Sequence, residues 1–92
     1  MAKMEDGFGK PEEVRVFVEA NAECGNPASV LAALDRYAED YFFLMNVGPE
    51  KGPLLTAEVE KVGPAARIIE LGSYCGYSAV LIAQRLGPDG HL

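Results

Sequence analysis

The sequence predicts an α/β chain, and three observations carry that expectation. An apolar run, Ala66-Arg67-Ile68-Ile69-Glu70-Leu71, meets Gly72 and a tight loop, which reads as a short buried strand turning sharply. A helix is expected from about Tyr77 to Leu86. A turn, Gly87-Pro88-Asp89-Gly90, then leads into His91-Leu92, the first step of a second strand. Strand, loop, helix, strand is the order of a parallel sheet with a helical crossover.

Three helices are expected ahead of that unit. The first runs from Pro11 to Ala22: Pro11 suits the first helical position, and Glu12 and Glu13 suit the positive end of the helix dipole. Val14, Phe17 and Val18 give it an apolar stripe. Cys24-Gly25-Asn26-Pro27 separates it from the second, for which Asn26 is the N-cap. That helix should reach about Phe43, with Val30, Leu34, Tyr37, Ala38 and Tyr41 on one face and an aromatic end. Met45 to Pro53 reads as a loop from its glycines and prolines. A third helix is expected over Leu54–Val62, stopped by Gly63-Pro64. Residues 1–9 are expected to be a frayed leader. With one strand and a fragment of another, Ile68, Ile69 and Leu71 lack strand partners and the last helix has little to cover. The expected explanation is truncation.

The length, 92 residues, allows one small domain. At this size only about two-thirds of the unfolded surface can be buried, so stability is modest. Hydrophobic residues make up 49%, which belongs to a folding chain, not a disordered one. Asp and Glu number 14 against 8 Lys and Arg, a net charge of -6. That balance repels phosphate backbones and anionic lipid, so neither nucleic acid nor a membrane is an expected partner. Met1 to Lys10 has no apolar core of signal-peptide type. Cys24 and Cys75 follow no metal-ligand spacing and form no disulfide framework. The expected setting is soluble and cytoplasmic.

Glu70-Leu71-Gly72-Ser73-Tyr74-Cys75-Gly76-Tyr77-Ser78 is the informative segment. Glycines here let a ligand approach the backbone between strand and helix. A dinucleotide fingerprint, G-x-G-x-x-G, would place its later glycines at Tyr74 and Tyr77, where bulky side chains stand. Glu70 would also set an anion near the phosphates. Both features argue against a nicotinamide cofactor. S-adenosylmethionine carries no phosphate, and its amino-acid end offers an ammonium and a carboxylate. Glu70 could meet the ammonium, while backbone N–H groups and the Ser78 hydroxyl could meet the carboxylate. The alternative is that Gly72 and Gly76 only make a tight turn.

Residues 70–80, Glu-Leu-Gly-Ser-Tyr-Cys-Gly-Tyr-Ser-Ala-Val, are similar to the cofactor loop of the catechol O-methyltransferase family. Met45-Asn46-Val47-Gly48 with Lys51-Gly52 resembles a second hallmark, and Asn26 to Asp35 resembles the family's second helix. The resemblance runs from about residue 12 onward and covers the N-terminal portion of the family. It implies a Rossmann-like S-adenosylmethionine-dependent methyltransferase fold, with residues 1–64 as a helical N-terminal cap and 65–92 as the first strand, loop and helix of the cofactor sheet. It implies Mg²⁺-dependent transfer of a methyl group to a catechol hydroxyl.

By the same resemblance, Val47, Glu70, Gly72, Tyr74, Gly76 and Ser78 hold the cofactor, with Tyr74 near the sulfonium. Met45 would sit at the substrate mouth beside Phe43. Phe43 stands where the family often has tryptophan, which leaves another small phenol open as substrate. Pro49 would stiffen its loop. The family's metal ligands, catalytic lysine and ribose-binding acid fall at positions later than Leu92. The 92 residues alone are therefore expected to be inactive, and a non-catalytic interaction piece is the other reading. Asp89, Glu58 and Glu60 are not expected to bind metal. Cys75 is not expected to act as a nucleophile, nor His91 as a catalytic base. The aromatic group Tyr37, Tyr41, Phe42 and Phe43 is expected to serve as core and pocket wall. Lys51 is open to substrate or solvent.

Overall fold

A computed structural model describes residues 10–92, which fall into two compact units divided after Asn46. The leader expected over residues 1–9 lies outside the described residues.

The first unit holds α1 (Pro11–Asn21) and α2 (Pro27–Asp40), which pack against each other. Both begin with proline at the first helical position, where the missing N–H has no intrahelical acceptor to lose. Along the exposed side of α1, Arg15 pairs with Glu12 and Glu19. The hydrogen bond from Arg15, then its charge, holds the Glu12 carboxyl below the ordinary range. These groups are open to solvent, so the pairs add little to stability.

Asn26 caps α2 as expected: its side chain accepts from the Ser29 N–H at 3.1 Å. Ser29 fastens the connection further, its hydroxyl accepting from the Glu23 N–H at 2.8 Å and donating to the Asn26 carbonyl at 2.7 Å. Asn26→Ala should therefore cost about 1 kcal/mol, read as a lower midpoint in urea with an unchanged slope.

The buried residues of α2 are Leu31, Ala33, Leu34 and Tyr37. Leu34 and Tyr37 lie on the expected face, but Tyr41 is 52% exposed and α2 ends at Asp40, three residues before Phe43. The Tyr41 backbone (φ -120°, ψ -85°) leaves the helical region, which ends the helix and turns its aromatic tail away from the core. The rings still associate: Phe17, Tyr37 and Tyr41 have centroids 5.3 to 5.5 Å apart, and the Arg36 guanidinium lies 5.5 Å over Phe17.

The second unit holds α3 (Gly48–Val62), which corrects the expected loop over residues 48–53, while residues 45–47 lie outside the helix as expected. Pro49 sits in the first helical turn, where a missing N–H is tolerated. Pro53 is interior and removes one ladder bond. The usual clash of a proline ring with the preceding Cβ is absent because Gly52 has none. Gly48, Gly52, Thr56 and Val59 are the buried face of α3. Two glycines and a threonine give that face no hydrophobic signature, which is why it reads as loop.

Helix α4 (Tyr77–Ala83) packs against α3, and its continuation to Leu86 is made of turns. A Cβ placed on Gly52 would lie 3.3 Å from Leu81 Cδ2, so the missing side chain lets α4 come close. Tyr77 and Ile82 are buried. The expectation that this helix has little to cover is corrected: α3 supplies the surface.

The expected strand over residues 66–71 is reduced to one parallel bridge, Arg67 with His91. The Ile68 N–H donates to His91 O at 2.8 Å, and the His91 N–H donates to Ala66 O at 2.9 Å. Ala66 is buried, but Ile69 and Leu71 are 88% and 94% exposed, which corrects the reading of a buried strand. Pairing stops after one bridge, and a strand needs neighbours to be extended and covered.

The turn at 87–90 forms as expected, the Gly90 N–H donating to Gly87 O at 3.0 Å, and the Gly87 N–H reaching Pro64 O at 2.8 Å. A Cβ on Gly90 would stand 2.6 Å from Pro64 O and 2.9 Å from Leu86 Cβ. Gly90→Ala should accordingly cost about 1–3 kcal/mol, measured by thermal or urea denaturation, because backbone must move to make room.

Candidate functional site

The loop between the bridge and α4 is built by local backbone chemistry. The Gly76 N–H donates to Ser73 O at 2.7 Å and closes a four-residue turn. Gly72 (φ +83°) and Gly76 (φ +84°) take conformations that side-chain-bearing residues avoid. Tyr74, at φ +47°, takes one too, at a cost of about 1 kcal/mol for a non-glycine residue. A Cβ added at Gly72 or Gly76 would meet nothing within 4 Å, so the backbone there faces open space. The Tyr74 side chain is 49% exposed above this loop.

Glu70 and Ser78 flank the turn, both half-buried. They meet: Ser78 Oγ donates to Glu70 Oε2. Sequence reasoning named both residues and missed their contact. The signal available was a carboxylate at the end of the extended run and a hydroxyl in the first turn of the following helix, with a tight turn folding one back on the other.

Val47 belongs to the same unit, half-buried at the N-cap of α3 with helical backbone angles (φ -61°, ψ -44°). Phe43 and Met45 belong to the first unit, Phe43 half-buried and Met45 66% exposed.

The remaining candidates fall as follows. Glu58 is paired with Lys61 at 2.8 Å and Glu60 with Arg85 at 2.9 Å, while Asp89 is exposed on its turn. Among the described residues, no group of three or more His, Cys, Asp or Glu could hold a metal ion. Cys24 is exposed, Cys75 is half-buried in the loop, and neither is in a disulfide. His91 is exposed, and its backbone makes the bridge. Lys51 is exposed on α3. No described helix is long and apolar enough to cross a membrane.

A parallel bridge joined through a glycine loop and a helix is the smallest form of a strand–helix–strand crossover. The sequence profile of the O-methyltransferase family matches residues 21–92, and the chain belongs to that family. It is 40% identical over 83 residues to Catechol O-methyltransferase B of Danio rerio, covering 90% of this chain and 31% of that protein. It is 40% identical over 86 residues to Catechol O-methyltransferase of Mus musculus, covering 94% and 32%. To Transmembrane O-methyltransferase of Propithecus coquereli it is 43% identical over 86 residues, covering 94% and 31%. The chain thus spans about a third of the length of these curated relatives.

Proposed function

We propose that residues 70–78 bind the amino-acid end of S-adenosylmethionine for an O-methyltransferase acting on catechols or related small phenols. The observation that carries this reading is the loop itself: open backbone at Gly72 and Gly76, flanked by the Glu70–Ser78 pair. A carboxylate at that edge suits an ammonium, and it does not suit a pyrophosphate. Tyr74 offers a ring face to a sulfonium, and Val47 a backbone contact. Bound there, S-adenosylmethionine would supply an electrophilic methyl group. Phe43 and Met45 are the residues proposed for the substrate mouth. Phe43 keeps an aromatic wall and leaves the choice among phenols to be measured.

In an enzyme of the relatives' length, we take residues 1–64 as a helical cap and 65–92 as the opening of a Rossmann-like sheet. Mg²⁺ dependence belongs to this proposal through the family alone, and no metal step is assigned to the described residues. On this reading the contribution of these residues is to bind the cofactor. A cytoplasmic setting rests on composition and on two cysteines too few for a disulfide framework.

Isothermal titration of the chain with S-adenosylmethionine and, separately, NADH tests the reading. Saturable binding of the first and none of the second is expected. A cooperatively folded chain that ignores S-adenosylmethionine would sink it.

A second reading, association through residues 66–71, is favoured by the exposure of Ile69 and Leu71. Sedimentation equilibrium decides it: association would raise the mass with concentration, and Ile69→Lys would abolish the rise.

A further inference from the structure

The turn Gly87-Pro88-Asp89-Gly90 carries a reactive dipeptide that the proposed function does not use. An aspartate followed by glycine can cyclise: the glycine backbone nitrogen attacks the side-chain carboxyl carbon, and no Cβ hinders the approach. Asp89 is exposed, so its carboxyl has room to swing toward that nitrogen. What opposes the attack is the closed turn. The Gly90 N–H donates to Gly87 O at 3.0 Å, which occupies the nitrogen's proton and fixes the backbone beside Asp89.

The same turn leaves no room for the product. A Cβ on Gly90 would already stand 2.6 Å from Pro64 O and 2.9 Å from Leu86 Cβ. The chain is anchored on either side of Asp89, by the Gly87 N–H to Pro64 O at 2.8 Å and the His91 N–H to Ala66 O at 2.9 Å. A main chain lengthened by a carbon between those anchors cannot keep both.

We propose that Asp89-Gly90 is a site of spontaneous isoaspartate formation, guarded while the turn is closed, and that the product releases the Arg67–His91 bridge. In the first step the Gly90 N–Cγ bond forms, the carboxyl hydroxyl leaves with the nitrogen's proton as water, and a succinimide remains. Water then adds at one of its two carbonyls. One choice restores aspartate, and the other gives isoaspartate, in which the main chain runs through Cβ and Cγ. The water lost is regained, so mass is unchanged and no oxidant or reductant is consumed. The turn thereby marks copies of the chain that have opened.

The test ages the 92-residue chain in neutral buffer, with and without urea, beside a synthetic peptide of residues 86–92. Trypsin cuts after Arg85, so the fragment 86–92 reads Asp89 apart from the same dipeptide at Asp6-Gly7. Reversed-phase chromatography separates its isomers, and electron-transfer fragmentation identifies isoaspartate. In buffer the chain should isomerise at least about tenfold more slowly than the peptide, a ratio set by how seldom the turn opens, and urea should bring it to the peptide's rate. In the separated isoaspartyl chain, the Ile68 and His91 amides should lose protection from hydrogen exchange while those of α2 keep theirs. Asp89→Glu, which would have to close a larger ring, should form no measurable isomer and keep its protection through the same ageing.

Equal rates in chain and peptide would show that the turn guards nothing and would overturn the inference. So would a urea-treated chain that forms no isoaspartate, or an isoaspartyl chain in which Ile68 and His91 stay protected.

Discussion

Glu70→Ala is expected to weaken S-adenosylmethionine binding by about 10- to 100-fold. The change removes the carboxylate that we assign to the ligand's ammonium. A hydrogen bond between charged partners contributes about 1.5–3 kcal/mol, which corresponds to that range of affinity. It also removes the partner of Ser78 Oγ, and the loop loses a side-chain tie across the turn. The fold should be little affected, because Glu70 is only half-buried and the turn is closed by backbone, Gly76 N–H to Ser73 O. Titration calorimetry reads the loss and far-ultraviolet circular dichroism controls for unfolding. An affinity within a factor of about two of wild type would remove Glu70 from the site.

The largest effect on stability should come from Leu34→Ala. Leu34 is 1% exposed at the centre of the α1–α2 pair, beside the buried Leu31, Ala33 and Tyr37 on its own helix. Truncating a buried leucine costs about 2–5 kcal/mol in lost burial and residual cavity. The described residues of this unit, 10–46, hold only about 2–6 kcal/mol in all, from the usual stability per residue. The first unit should therefore be largely unfolded at room temperature, seen as lost helical dichroism. Leu34→Met, which nearly conserves volume, should cost less than about 1.5 kcal/mol. A Leu34→Ala chain that melts within about 2 °C of wild type would contradict this core.

The sequence disclosed most where a local rule acts alone. Asn26 with Pro27 marks the start of α2, Gly63-Pro64 the end of α3, and Gly87 to Gly90 a turn, and each is found. The order of extended run, glycine loop and helix was legible too, and so was the membership of residues 70–78 in one loop. The failures are tertiary. Gly48 and Gly52 read as loop residues, but both are buried in α3, Gly52 lets α4 come close, and packing overrides their low helix propensity. Ile69 and Leu71 read as buried, but burial of an extended segment depends on neighbours that pattern alone does not provide. The Glu70–Ser78 bond escaped for a similar reason. Residue types showed two groups fit for opposite ends of a zwitterion, and only the turn geometry shows one donating to the other.

If residues 70–78 bind S-adenosylmethionine, as we propose, amide chemical-shift mapping of the ¹⁵N-labelled 92-residue chain during titration with that ligand will locate the surface. Saturable shifts should centre on Gly72, Tyr74, Gly76 and Ser78, extend to Val47, and leave α1 unmoved. Shifts centred elsewhere, or a well-dispersed spectrum that does not move, would remove residues 70–78 from cofactor binding.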